Sequence, residues 1–213
     1  MSRPATTTGS LRRLPAQGRS AARVQRILDT CAVLIDEIGY DRLSTTMIAE
    51  RAGITIGSLY QFFPDKRAIA KALMLRSLDA YARRLKKRFA GDDLTHWWDG
   101  VGAAIDEYVM LHRTVPGIRI LHHGEVVDAH ALDADPDNGG IVADHLARAL
   151  IERFAIADTP RLRFSLKVVI AASSALTMLA FRRQPDGDER VLTEAKELVR
   201  DHLHRQSGLG AAG

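Results

Sequence analysis

Between Thr55 and Gln61 the chain reads TIGSLYQ, a stretch dense in groups that recognise and poor in groups that react. Thr55, Ser58 and Tyr60 carry hydroxyls, Gln61 an amide that both donates and accepts, Ile56 and Thr55 methyl groups, and Gly57 no side chain. No nucleophile stands beside a base here. The mixture suits base edges in a DNA major groove: Gln61 for a paired hydrogen bond to adenine, the methyls of Ile56 and Thr55 for thymine, Gly57 for close backbone approach. Tyr60 and Ser58 can donate to phosphates.

Other residues that could do chemistry form weaker patterns. His122, His123 and Glu125, with a distant His112, invite a metal or catalytic reading, but adjacent helical residues point about 100° apart and do not easily share one ion. Asp133, Asp135, Asp137 and Asp144 fall at alternate and terminal positions like calcium ligands. Asn138 replaces the turn glycine, Pro136 stiffens the run, and Asp144 is shorter than a bidentate Glu. Cys31 is the single cysteine, which leaves no disulfide framework and no cysteine-rich metal site. No nucleophile elbow, P-loop or dinucleotide fingerprint is present, so we expect no enzyme, cofactor or metal.

The elements that hold these residues follow from periodicity. Val24, Ile27, Leu28, Cys31, Leu34, Ile35 and Ile38 mark one face of a helix from about Arg23, with Gly39 as its stop and Cys31 on the buried stripe. Ser44 caps a short helix that ends at Gly53, and Thr55 caps another in which Leu59, Phe62 and Phe63 turn inward before Pro64. Two short helices behind a longer amphipathic one form a helix-turn-helix, whose second helix enters the groove.

Charge agrees. Residues 1–90 hold 17 Lys and Arg against 7 Asp and Glu, a net of +10, whereas residues 91–213 hold 13 against 19, a net of −6. One end suits a polyanion and the other does not. Residues 1–20 carry Arg3, Arg12, Arg13 and Arg19 without apolar periodicity and are expected to form a flexible basic tail. Arg12-Arg13 lacks a following apolar run, so no export signal and a cytoplasmic location are expected. The most apolar run, Val168 to Phe181, is short for a bilayer and is read as a core helix, with no membrane partner.

The stretch LSTTMIAERAGITIGSLYQFFPDKRAIAKAL, behind RILDTCAVLIDEIGY, closely resembles the DNA-binding domain of TetR-family transcriptional repressors over about Arg23 to Leu73. The matching positions are Ser44, Ile48-Ala49, Ala52-Gly53, Gly57, Leu59-Tyr60, Phe63 and Lys66. By that resemblance Ser44, Thr46, Tyr60 and Lys66 would hold phosphates, and Thr55, Ile56, Gly57, Ser58 and Gln61 would lie nearest the bases. Met47 stands where the family often has an acidic residue completing the capping box. Ala68 replaces a common Glu.

The remainder reads as helix bundle. Leu94, Trp97, Val101, Ala104, Tyr108 and Leu111, with a neighbouring stripe of Trp98, Ile105 and Val109, make a helix apolar over most of its circumference. Trp97, Trp98, Tyr108 and His112, with Met178 from a later helix, are the candidate lining of a pocket for an apolar or aromatic small molecule. Leu166, Ile170 and Leu176 on one C-terminal helix and Leu198 and Val199 on the next are the candidate dimer interface, the role this pair has in the family.

The expected architecture is therefore all-α, with a basic tail (1–20), a helix-turn-helix domain (21–70), a helical-bundle ligand-binding and dimerisation domain (71–206) and a short tail (207–213). The resemblance implies a homodimer on a palindromic double-stranded DNA operator, released by a small-molecule effector. The alternatives are a DNA-binding regulator whose core is filled by its own side chains, and a metal-dependent enzyme using His112, His122 and Glu125.

Overall fold

The computed structural model describes residues 16–123 and 138–206, and all the regular structure among them is helical. The elements are α1 (Ala16–Ile38), α2 (Thr45–Arg51), α3 (Ile56–Tyr60), α4 (Lys66–Phe89), α5 (Trp97–Thr114), α6 (Ile118–His123), α7 (Asn138–Phe154), α8 (Pro160–Phe181) and α9 (Glu189–Gln206).

Side-chain caps set several of the starts, because the first N–H groups of a helix have no intrahelical acceptor. The Met47 N–H donates to Ser44 Oγ at 3.2 Å, that of Ser58 to Thr55 Oγ1 at 3.2 Å, and that of Ala68 to Asp65 Oδ1 at 2.8 Å. α5 has a reciprocal cap: the Trp98 N–H donates to His96 Nδ1 at 3.2 Å, while Asp99 Oδ2 accepts from the His96 N–H at 2.8 Å. These hydrogen bonds hold the Asp99 carboxyl below the usual range. Pro160 opens α8 behind Thr159, where its missing N–H costs nothing.

Two cores result. Ile27, Cys31, Leu34, Ile35, Ile48, Leu59, Ile69 and Leu73 make the N-terminal one, and Leu121 of α6 completes it. Cys31 is wholly buried and its thiol is pushed up to about 12 by burial, which makes it an inert packing residue. The second core joins Tyr81 and Leu85 of α4 to α5, α7, α8 and α9. The boundary expected at 70/71 falls inside the continuous α4, which serves both cores.

A polar seam runs between them. The Gly117 N–H donates to Asp36 Oδ1 at 3.3 Å, and Arg119 lies 3.7 Å from the same oxygen while donating to the Pro185 carbonyl at 2.9 Å. Gly117 has φ +72°, and a Cβ there would sit 2.7 Å from the Ala32 carbonyl oxygen, so backbone meets backbone only because no side chain intervenes.

Three expectations change. α1 begins at Ala16 rather than Arg23, so residues 16–20 are helical and not tail; Ala, Gln and Arg are good helix formers even where no face is buried. The apolar C-terminal helix is 22 residues long, and among the described residues it is the one helix with the length and composition to cross a membrane. One of its faces is nonetheless core: Leu162, Leu166, Val169, Thr177, Ala180 and Phe181 are buried within the chain.

The third change concerns the interface candidates. Leu166 at 0% and Val199 at 1% exposure are interior residues and are not available to a second copy, while Ile170 and Leu176 are half-buried. On α8 and α9 the large apolar side chains left outside are Phe164 (68% exposed), Val168, Leu179 and Leu198. α8 is apolar around most of its circumference, so periodicity could not say which stripe the chain would cover itself.

Candidate nucleic-acid interface and interior polar cluster

α2 and α3 meet through a tight turn at Gly53, whose φ of +64° is the left-handed conformation that stops α2. Leu59 is fully buried beneath α3, which fixes the helix by one side and turns Thr55, Ile56, Gly57, Tyr60 and Gln61 outward. Ile56 is 39% exposed, an isoleucine with no core to fill. A Cβ placed on Gly57 meets no atom within 4 Å, and its φ is an ordinary one. Neither sterics nor backbone conformation calls for glycine there, although glycine costs a helix stability.

Hydroxyls border this surface. Thr55 and Ser44 use their oxygens as cap acceptors, which leaves each hydroxyl proton able to donate. Thr46 is exposed. Tyr60 Oη lies 3.1 Å from Thr45 Oγ1, so the last residue of α3 is positioned by the first of α2. Thr45 was absent from the sequence candidates; the hydroxyl run Ser44-Thr45-Thr46 signalled such residues but not which one faces Tyr60.

Lys66 departs from its expected place at a phosphate. Its ammonium donates to the carbonyls of Tyr40, Asp41 and Leu43 at 3.3, 3.3 and 3.0 Å and sits 4.6 Å from the Tyr40 ring centroid. Three donors meet three acceptors. The residue ties the start of α4 to the turn after α1.

The basic charge of residues 1–90 also divides. Arg83, Arg84, Lys86, Lys87 and Arg88 lie near the far end of α4, about 25–33 Å along the helix from Lys66. They are exposed, Arg83 pairs with Asp79 and Arg88 with Asp93, and they do not belong to the α2–α3 face.

The five pocket candidates do not form one group. Tyr108 and His112 meet at a ring-centroid distance of 4.5 Å, and His112 lies 5.5 Å from Phe181. Tyr108 Oη is 3.2 Å from Ser174 Oγ, and His112 Nδ1 is 2.9 Å from the Tyr108 carbonyl oxygen. Tyr81 stands edge-on to Tyr108 at 6.2 Å and donates to the Ala104 carbonyl at 3.1 Å. Met178, half-buried, is four residues after Ser174 and so shares its face of α8. Ser174 and Phe181 were not among the candidates; only a fold that sets α5 against α8 brings them in.

Trp97 and Trp98 are elsewhere, about 15 Å up α5 from Tyr108. Trp97 is a core residue, and Trp98 carries the Arg200 guanidinium 5.7 Å from its ring. Burial lowers the His112 pKa, the nearby Arg119 charge lowers it further, and the Tyr108 carbonyl works in the opposite direction, leaving a neutral imidazole near pH 7. Burial likewise raises the Tyr81 and Tyr108 phenols. The cluster is therefore uncharged, aromatic and edged by hydroxyls.

The side chains of His122 and His123, together with Glu125, Asp133, Asp135 and Asp137, lie outside the described residues. Asp144 pairs with Arg163 at 3.0 Å. Among the described residues no three His, Cys, Asp or Glu side chains converge on a possible metal position.

Comparison with known proteins matches both halves. Residues 27–73 match the family described as bacterial regulatory proteins, tetR family, and residues 95–207 match the tetracyclin repressor-like C-terminal domain. A TetR-family transcriptional regulator from Streptomyces coelicolor is 38% identical, with 86% of this chain and 99% of that one covered at a TM-score of 0.72. An HTH-type transcriptional regulator of Bacillus subtilis, YvdT, is 24% identical over 115 residues, 54% of this chain and 58% of the relative. The A-factor receptor protein of Streptomyces griseus is 40% identical over 58 residues, 27% of this chain. The chain thus spans 58% and 21% of the length of these two curated relatives.

Proposed function

Because the chain belongs to the TetR family of transcriptional regulators, we propose that it binds a palindromic double-stranded DNA operator as a homodimer and that a small molecule held in the C-terminal domain releases it. The observation that carries the DNA reading is α3 itself: an exposed isoleucine and a glycine with open space before it, on a helix fixed from behind by Leu59. A surface that gives up helix stability with no internal return is one shaped for an external partner.

Dimerisation follows from the small number of base readers. Thr55, Ile56, Ser58 and Gln61 supply one helix, and a good bidentate contact gives about 1–3 kcal/mol of discrimination where specific sites command about 4–10. Two helices on a two-fold axis double the readout. Phe164, Val168, Leu179 and Leu198 form the surface that supports such an axis, in place of the interior Leu166 and Val199.

For the effector, the support is the cluster of Tyr108, His112, Ser174 and Phe181, which suits an apolar or aromatic molecule carrying one or two polar groups. The proposed role is repression relieved by that molecule. Ser44, Thr46 and Tyr60 hold phosphates in this reading, and Lys66 holds the head in shape.

Selection of bound sequences from random DNA tests the core of the proposal. The expected product is a palindrome whose half-sites are one helical turn or a multiple apart, with one position losing its preference in Gln61→Ala. Enrichment of single, unpaired half-sites would overturn the dimeric reading.

A further inference from the structure

The first turns of α1 have no core to rest on. Among the residues of Ala16 to Arg26 whose side chains are described, none is buried, and Ile27 is the first interior residue of the helix. Helical turns without a packing face are marginal in water, so a surface outside the protomer is the natural partner for them.

The chemistry of that surface is set by what this segment carries. The first 26 residues contain six arginines, no lysine and no acidic residue. Arg23 and Arg26 are exposed and three residues apart, which puts them on one side of the helix. The next carboxylate along the helix, Asp29, is already bound to Arg76 at 2.6 Å, and the same guanidinium nitrogen reaches Gln25 at 3.1 Å. Arg26 forms no ion pair or hydrogen bond with the described residues. Arg23 Nη1 lies 3.4 Å from Ser58 Oγ, in the first turn of α3, so its guanidinium already sits beside the surface that faces the bases.

We propose that the N-terminal part of α1 is a second DNA-contacting element, in which Arg23 and Arg26 hold the phosphate backbone at the edge of the groove that α3 enters. The inference rests on the operator-binding reading above and extends it. Planar guanidinium forks match phosphate oxygens in pairs, and phosphate contacts fix the register in which a recognition helix meets its bases. The long α1 thereby braces the five-residue α3, which is too short to fix its own orientation on a duplex.

The test compares the full-length protein with Arg23→Gln, Arg26→Gln and the double variant, all on DNA selected by the wild type, across a salt titration. Each lost phosphate contact lowers the slope of log K against log salt by about 0.9 per protomer. The expected result is that loss in each variant, additive in the double variant, with the order of preferred sequences unchanged and ethylation interference lost at flanking phosphates. An unchanged slope overturns the inference while leaving operator binding in place. So does a changed base preference at constant slope, which would make these arginines base readers. Wild-type protein that enriched no sequence would sink the operator reading and this inference together.

Discussion

At Gly57, the proposed approach to DNA and the stability of the helix pull in opposite directions. The position is helical with an ordinary φ, and a methyl added there would meet no atom within 4 Å, so Gly57→Ala relieves the backbone-entropy cost of glycine, about 0.5–1 kcal/mol, without a clash inside the protein. The expected outcome is a higher melting temperature together with weaker binding to the selected operator. A variant that was stabilised and bound DNA as well as wild type would remove close backbone approach from the account. The pattern Thr55-Ile56-Gly57 was legible in the sequence because its residue types conflict with helix propensity, and such conflict is local. The partners of Lys66 were not legible: a lysine opening a helix beside a DNA-reading module reads as a phosphate ligand, and only the path of the α1–α2 turn brings three carbonyls to its ammonium.

The starts of α2 and α3 were readable for the same local reason, since Ser44 and Thr55 each satisfy an N–H three residues on. Which stripe of α8 turns inward was not, because both are apolar and the choice depends on α7 and α9 arriving from elsewhere in the chain. The α5–α6 turn gives the sharpest prediction at this scale. Gly117→Ala would place a methyl 2.7 Å from the Ala32 carbonyl oxygen and 3.2 Å from Ile35 side-chain atoms at a φ of +72°. Left-handed strain of about 1–2 kcal/mol and overpacking of about 1–3 kcal/mol add, so denaturant unfolding should report a loss of roughly 2–5 kcal/mol. A loss below about 0.5 kcal/mol would mean that α1 and α6 are not held in contact.

For the whole molecule, the exposed Phe164, Val168 and Leu179 of α8 and Leu198 of α9 bear on assembly. Phe164→Glu and Leu198→Glu should shift sedimentation toward monomer and abolish operator binding, with far-UV circular dichroism unchanged because both side chains already face outward. Leu166→Glu, in contrast, should unfold the protein, since it forces a charge into the core. Dimers that persisted in the Phe164→Glu/Leu198→Glu double variant would place the two-fold axis on another face.

The DNA-reading head is not an interchangeable part. Residues 1–70 of a different regulator, joined to this C-terminal body, would divide α4 near its start and set foreign side chains where Ile35 and Asp36 are fitted to the bare backbone of Gly117. Recombination between such proteins is therefore constrained by a few atoms of α1 that touch no DNA. A hybrid keeps this seam between its two halves if its crossover carries Ile35, Asp36, Gly117 and Arg119 as one inherited set.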